Sequence, residues 1–182
     1  MLDYTVSSKI KLALPRPELD GPVLFDLLNQ HRTSFEYYLP WIQFTQKPED
    51  EISFLKLTNQ HFGNAESLNL VIWYQEKIAG MISFNSINKI RNSADIGYWL
   101  TPEYRGHGVV TQSVQAICKI GFEDYGLNKI IIQAAVDNVS SNAVAKRAGF
   151  ILEGISRQNE KLADGYHDEN VYSLLRSDQN KV

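Results

Sequence analysis

Between Ile96 and Val114 the sequence predicts a strand, then a turn that contains two glycines, then a helix. This succession limits the possible folds more than any other part of the chain. The segment reads IGYWLTPEYRGHGVVTQSV. Gly106 and Gly108 allow the backbone to turn tightly enough for several N–H groups to converge on one anion at the start of the helix. The pattern therefore predicts a phosphate-binding turn, although two glycines one residue apart also occur in ordinary tight turns.

The residues around this turn argue against two familiar nucleotide sites. A Walker loop places a lysine and a hydroxyl residue directly after its last glycine, but Gly108 is followed by Val109 and Val110. A dinucleotide-binding fold requires a third glycine and alternating strands and helices, whereas three successive strands are predicted before this turn. Neither nucleoside triphosphate hydrolysis nor a dinucleotide cofactor fits the sequence.

The chain has the size and composition of one compact domain. Its 182 residues, 43% of them hydrophobic, suffice for a core without disulfides or metals, so residues 1–182 are expected to form a single domain. The net charge of -3 and the lack of a lysine- or arginine-dense block argue against a nucleic-acid partner. We find neither an export signal nor the roughly 18 apolar residues that span a bilayer, and therefore expect a soluble cytoplasmic protein without a membrane partner.

Hydrophobic periodicity predicts seven strands and four helices in an α+β arrangement, with helices packed on a sheet. The strands are expected at Lys9–Leu14, Leu68–Tyr74, Ile78–Phe84, Ser93–Leu100, Ile130–Val136, Ile151–Leu162 and Tyr166–Leu174. The helices are expected at Leu19–His31, at Pro48–Phe62, after the glycine turn as far as Gly126, and at Ser140–Ala148 before Gly149. Asp164 and Gly165 predict a hairpin between the last two strands.

Three further features have a structural interpretation that we favour. The connector Phe35–Phe44 is strongly aromatic, and core packing of Trp41 and Phe44 is favoured over contact with a substrate, since large apolar groups must be covered. If Tyr38 and Trp41 instead line a binding groove, they would determine specificity. The single cysteine, Cys118, lies on the apolar side of its helix and is assigned to the core. The four histidines lack metal-ligand spacing, so no metal is expected.

Several motifs together resemble the GNAT superfamily of acetyl-CoA-dependent N-acetyltransferases. They are Arg105-Gly106-His107-Gly108 after a strand and, about thirty residues later, Val136-Asp137-Asn138 with the stretch from Ser141 to Phe150. The stretches Ser83–Asn85, Ile96–Leu100, Ser141–Ala145 and Gly165–Asp168 are similar to the RimL group, which acetylates the N-terminal serine of a ribosomal stalk protein. The resemblance implies a GNAT fold: a mixed, mostly antiparallel twisted sheet of about seven strands, splayed between the fourth and fifth, with helices on both faces.

The resemblance also implies where acetyl-CoA binds. The diphosphate would lie on the amides of the glycine turn, and the pantetheine arm would bond to the strand that ends at Leu100. The expected coenzyme-binding residues are Tyr98, Trp99, Leu100, Arg105, Gly106, His107, Gly108, Val109, Val110, Asn138, Ser141 and Lys146. Glu103 departs from the family pattern, which has an amide or a cation at the start of this loop, and we do not assign it to phosphate binding.

For catalysis the resemblance implies Glu160 as the base and Ser141 as the group that protonates the departing sulfur. Each residue has a structural alternative. Glu160 would otherwise be an exposed strand residue paired with Lys161 or Arg157, and Ser141 a helix-capping hydroxyl. Asn138 would otherwise only shape the turn before its helix. Tyr38, Trp41, Asn85 and His167 are the expected acceptor-binding residues, although an ordinary strand position is favoured for His167.

The sequence thus leads to an acetyl-CoA-dependent N-acetyltransferase whose favoured acceptor is the N-terminal serine of a ribosomal protein. One alternative is an acetyltransferase for a polyamine, drug or metabolite amine. An alternative of another class is a non-catalytic acetyl-CoA sensor. The resemblance further implies a homodimer.

Overall fold

The computed structural model describes residues 3–181, which form one mixed eight-stranded sheet with helices on both faces. The strands are β1 (Asp3–Thr5), β2 (Ile10–Ala13), β3 (Leu68–Tyr74), β4 (Lys77–Asn88), β5 (Ser93–Leu100), β6 (Lys129–Ala135), β7 (Ile151–Leu162) and β8 (Gly165–Leu175). They lie in the order β1-β2-β3-β4-β5-β6-β8-β7. All neighbouring pairs are antiparallel except β5 and β6, which run parallel. The GNAT fold expected from the sequence is confirmed, with one more strand than predicted.

Five helices connect the strands. They are α1 (Pro17–Gln30), α2 (Arg32–Phe35), α3 (Pro48–Gly63), α4 (Val109–Glu123) and α5 (Val139–Arg147), with a 3₁₀ turn at Pro40–Phe44. Gly126 and Gly149, after α4 and α5, adopt φ angles of 67° and 89°. These left-handed conformations are the ones predicted for the two glycines, because a residue without Cβ adopts them at low cost.

Two apolar clusters hold the helices on opposite faces of the sheet. On one face Leu24 of α1 and Leu55 of α3 pack with Val71 and Trp99. On the other face α4 contributes Val114, Ile117 and Phe122 to a larger cluster. Cys118 belongs to this second cluster, and burial raises the pKa of its thiol, so its assignment to the core is confirmed.

The two parallel strands in the middle of the sheet separate from each other. Their paired residues are only Ser93 with Lys129, Ala94 with Ile130 and Asp95 with Ile131. Beyond these pairs, Ile96–Leu100 of β5 remains bonded to β4, whereas the rest of β6 is bonded to β8. The sheet therefore opens between β5 and β6, which is the splay that the resemblance implied.

Candidate active site

The turn before α4 forms the anion cradle that its glycines predicted. Gly106 and Gly108 have φ angles of 81° and 72°, and Gly108 caps the helix without any side-chain hydrogen bond. Within the described chain, no backbone acceptor is found for the six successive amides from Gly106 to Thr111. Six free N–H groups at the positive end of a helix constitute a site for a diphosphate.

A groove of about 1370 Å³ runs from this cradle into the gap between β5 and β6. One wall is the edge of β5 from Asp95 to Leu100, and the other is formed by β6 and the start of α5. The loop between α2 and α3 covers one end. An extended ligand that starts at the cradle can thus reach the unpaired edge of β5 and bond to its backbone.

Most of the expected coenzyme-binding residues line this groove: Tyr98, Trp99, Leu100, Arg105, Gly106, Gly108, Val109, Val110, Asn138 and Ser141. Two do not lie on its wall. The His107 ring stacks on Tyr74 at 5.9 Å, which leaves only its backbone amide for the cradle. Lys146 is exposed outside the groove, and the next residue, Arg147, lines it instead. Val144 of α5 also lines the groove, and Arg147 follows it by three residues on the same face of the helix. Helical spacing could therefore have identified Arg147.

Glu103 is turned away from the cradle. Its carboxylate lies 2.7 Å from His31 Nε2 at the end of α1. Its own backbone amide, first, and the contact with His31 lower its pKa. The Glu103 side chain thus contacts the end of α1. This position agrees with the expectation that Glu103 does not bind phosphate.

Ser141 contacts a side chain from the opposite wall of the gap. The hydroxyls of Tyr98 and Ser141 are 2.8 Å apart, so a hydrogen bond joins β5 to α5 across the opening. The helix cap is instead Asn138, whose Oδ1 accepts from the Ser141 amide at 3.1 Å. The capping alternative for Ser141 is therefore wrong, since the Asn138 side chain occupies that role and the Ser141 hydroxyl bonds to Tyr98 instead.

Asn142 fixes α5 in place and was missed by sequence analysis. Its Nδ2 donates to the carbonyls of Ala135 and Asn138 at 2.9 and 2.8 Å. Its Oδ1 accepts from Asn170 Nδ2 and the Tyr172 hydroxyl at 2.7 and 2.8 Å. These four bonds tie the end of β6, the start of α5 and β8 together, which sets the position of Ser141 relative to the gap.

Glu160 lines the groove together with a second carboxyl group, Glu169 of β8. Burial, followed by the contact with Glu169, raises the pKa of Glu160 to about 7, and the nearby His167 opposes this rise. The expected alternative, an exposed Glu160 paired with a strand cation, is wrong because the side chain is half-buried against Glu169. Glu169 also lines the groove and was not identified from the sequence.

The aromatic connector forms a wall of the groove. Trp41 and Phe44 line it with 41% and 74% of their surface exposed, so the favoured assignment of both to the core is wrong. The reason is the 3₁₀ turn, which directs only Ile42 inward, while Arg32 bonds to the carbonyls of Ile42 and Thr45. Tyr38 lines the groove beside them.

The other two expected acceptor-binding residues differ in position. Asn85 lines the groove, where its amide bonds to Ser83 and Asp95 and occupies the space above Gly97, into which a Cβ would project. His167 is not on the groove wall. Its ring is held by Asp164 at 2.8 Å.

Charge is divided along the groove. Arg105 and Arg147 supply its cations, while Asp95, Glu160 and Glu169 belong to its acidic lining. Within residues 3–181 no cluster of three metal-ligating side chains occurs, and no helix there is long and apolar enough to cross a membrane. The groove thus combines a diphosphate cradle with carboxyl groups suited to an amine.

Comparison with known proteins gives matches along nearly the whole chain. A family model described as the acetyltransferase (GNAT) domain matches residues 9–151. The ribosomal-protein-serine acetyltransferase of Escherichia coli is 34% identical over 156 residues, covering 86% of this chain and 87% of the relative. The solved structure of RimL, an alpha-N-protein acetyltransferase for a ribosomal protein, in complex with coenzyme A, matches with a TM-score of 0.92 at 30% identity, covering 96% of this chain and 98% of that one. The microcin C7 self-immunity acetyltransferase MccE, in complex with acetyl-CoA and AMP, matches with a TM-score of 0.87 at 34% identity, covering 93% and 94%.

Proposed function

Because this chain belongs to the GNAT family of acetyltransferases, we propose that it transfers the acetyl group of acetyl-CoA to the N-terminal serine of a ribosomal protein. The observation that carries the proposal is the groove itself. It joins a cradle of free amides at Gly106–Thr111 to a half-buried carboxyl group, Glu160, across an open gap in the sheet. The family assignment makes the chain an enzyme, so the non-catalytic sensor is not retained.

The residues around the cradle fit the donor substrate. The amides of Gly106, His107, Gly108, Val109 and Val110 would hold the diphosphate, with Arg105 as a nearby cation. The edge of β5 at Tyr98–Leu100 would bond to the pantetheine arm, and the Asn138 amide faces it from the opposite wall. These contacts would bring the thioester into the gap beside Ser141.

The transfer requires a neutral amine, a polarised carbonyl and a proton for the leaving sulfur. In the proposed mechanism Glu160 takes a proton from the acceptor ammonium, and the amine nitrogen then attacks the thioester carbonyl. A backbone N–H near Trp99 or Leu100 stabilises the negative charge on the carbonyl oxygen. As the carbon–sulfur bond breaks, the Ser141 hydroxyl, bonded to Tyr98, gives a proton to the sulfur.

The strength of the base favours an α-amine over a lysine side chain. The pKa of Glu160 is raised to about 7. Moving a proton to such a base costs about 1 kcal/mol from an α-ammonium with a pKa near 7.8, but about 4.6 kcal/mol from a lysine near 10.4. Glu160 alone therefore suffices for an N-terminal amine and not for lysine.

A small amine is the alternative acceptor. MccE, which is a self-immunity acetyltransferase against microcin C7, is 34% identical to this chain along most of its length. An aromatic wall made of Tyr38, Trp41 and Phe44 would also accommodate a drug, polyamine or metabolite that carries an amine.

The decisive experiment is an intact-mass screen of acceptors with acetyl-CoA. The set contains a serine-led peptide, the same peptide with a blocked N-terminus and an internal lysine, spermidine and an aminoacyl nucleotide. A gain of one acetyl group on the serine-led peptide alone is expected. Turnover of a small amine without turnover of the peptide would contradict the ribosomal assignment, and Glu160→Gln should reduce turnover while leaving coenzyme binding unchanged.

The remaining expectations belong to the same proposal. We expect residues 1–182 to act as a single cytoplasmic domain. We also expect a homodimer, for which the edge strand β7 offers exposed Ile151, Leu152 and Ile155. An exposed apolar edge strand is prone to pairing unless it is covered. Sedimentation velocity of the wild type and of Ile155→Lys tests this expectation, and a monomeric wild type at micromolar concentration would contradict it.

A further inference from the structure

We propose that Glu169 is a positioning residue for the acetyl transfer, because its buried carboxylate holds Glu160 through one shared proton at the acceptor end of the groove. This inference rests on the proposed function and deepens it. Glu169 lies on β8 and lines the groove, but only 4% of its surface is exposed, so we assign it a role through Glu160.

An irregularity in β7 creates this carboxyl pair. Ser156 is paired with Glu169 and Glu160 with His167, so three residues of β7 face a single residue of β8. Gln158 adopts a φ of 48° within this bulge. Neighbouring residues of a regular strand point to opposite faces, but the bulge lets both Asn159 and Glu160 reach Glu169.

The amide groups around Glu169 decide which carboxyl group carries the shared proton. Asn159 Nδ2 and Gln133 Nε2 both donate to Glu169 Oε2, at 2.5 and 3.2 Å. Amide donors stabilise a carboxylate more strongly than a neutral carboxyl group. In the proposed pair Glu169 therefore accepts the shared hydrogen bond, and Glu160 donates it.

The charged groups that face Glu160 are Glu169 and His167, both from β8. Burial and, after it, Glu169 raise the pKa of Glu160 to about 7, and His167 lowers it. The His167 ring itself lies between the carboxylates of Asp164 and Asp137, at 2.8 and 3.6 Å.

Burial and the pairing with Glu169 together explain how Glu160 can deprotonate an ammonium group. An ordinary glutamate has a pKa near 4.3 and is a weak base towards an α-amine near 7.8. With Glu169 beside it, the ionised Glu160 faces a second negative charge and gains a favourable hydrogen bond when it takes a proton. A proton thus leaves the ammonium nitrogen, an O–H bond forms on Glu160, and solvent later removes this proton.

The test follows the carboxyl carbons of Glu160 and Glu169 by ¹³C NMR during a pH titration without any acceptor. In the wild type we expect both signals to follow two common midpoints, as in a coupled pair. In Glu169→Gln we expect the Glu160 midpoint to fall by about one unit or more. The matched control is Glu153→Gln, which removes a carboxylate of β7 that bonds to Lys129 at 2.7 Å outside the groove and should not move the midpoint.

Kinetics supply a second readout that a merely structural role would not change. The acid limb of kcat/KM in Glu169→Gln should move to lower pH together with the Glu160 midpoint, and kcat/KM at pH 8 should fall about three- to tenfold. Glu169→Asp should restore part of both. A wild type in which the two carboxyl groups titrate independently overturns the inference, even if the variants fail to fold. If the two carboxyl groups titrate as a coupled pair but no acceptor is acetylated, the proposed function is wrong, whereas the pairing of Glu160 with Glu169 is still supported.

Discussion

The buried carboxyl group of Glu51 should make the folded protein less stable as the pH rises. Glu51 is in the first turn of α3 with 2% of its surface exposed, and burial raises its pKa from 4.5 to about 7. The unfolded chain releases this proton at lower pH than the folded chain does. Stability is therefore lost between these two pKa values, and the loss is complete above the higher one.

The size of this effect follows from the two pKa values. At about 1.36 kcal/mol per unit, the difference amounts to about 3 kcal/mol, of which about 2.5 kcal/mol appears between pH 5 and pH 8. Glu51→Gln removes the titration. Relative to the wild type, the variant should thus gain about 2.5 kcal/mol in free energy of unfolding between these pH values, whatever constant cost the buried amide adds.

Urea unfolding of both proteins at a series of pH values measures this gain. Glu49→Gln is the matched control, because it removes a carboxylate from the same helical turn at an exposed position. The control should show little pH-dependent difference from the wild type. If the free energies of unfolding of Glu51→Gln and wild type differ by a constant amount from pH 5 to pH 8, the pKa of Glu51 is not raised, because Glu51 would then be ionised in the folded protein throughout this range.

Three further variants, two of them with a matched control variant, test the cradle, the groove and the anchoring of α5. Gly108→Ala forces an L residue into a left-handed φ of 72° and should lower the free energy of unfolding by about 1–2 kcal/mol and weaken acetyl-CoA binding. The control is Gly154→Ala, which has open space around its Cβ position. In urea unfolding and calorimetric titration it should change neither the free energy of unfolding nor acetyl-CoA binding. Arg147→Gln should raise the calorimetric Kd for acetyl-CoA about two- to fivefold, whereas Lys146→Gln, outside the groove, should leave it unchanged. Asn142→Ala breaks four hydrogen bonds and should cost about 2–4 kcal/mol in urea unfolding; a loss below about 1 kcal/mol would contradict its anchoring role.

The local pattern of apolar residues and glycines predicted most of the strands and helices and the diphosphate cradle. Hydrophobic patterning predicted β3 and β5 with their observed bounds, and the glycines at 106 and 108 predicted the turn, because backbone geometry depends on nearby residues. β1 was missed since three residues are too few for a period, and its pairing with β2 arises only in the folded sheet. The position of β8 between β6 and β7 also has no local signal.

The acceptor side of the groove depends on contacts between distant residues. Glu169 looks like an ordinary polar strand residue until the bulge of β7 brings Glu160 and Asn159 onto it. Trp41 and Phe44 were assigned to the core on hydrophobicity alone. Their exposure follows from the 3₁₀ turn and from the hydrogen bonds of Arg32, which composition does not reveal.

An amide NMR titration of the ¹⁵N-labelled protein with acetyl-CoA tests directly whether the glycine turn binds the diphosphate. If the cradle holds the diphosphate, the amides from Gly106 to Thr111 should shift most strongly as their free N–H groups bind it, and the amides of Tyr98–Leu100 should shift with them. Binding that leaves the Gly106–Thr111 amides unperturbed, or no binding at all, would contradict a diphosphate site at this turn.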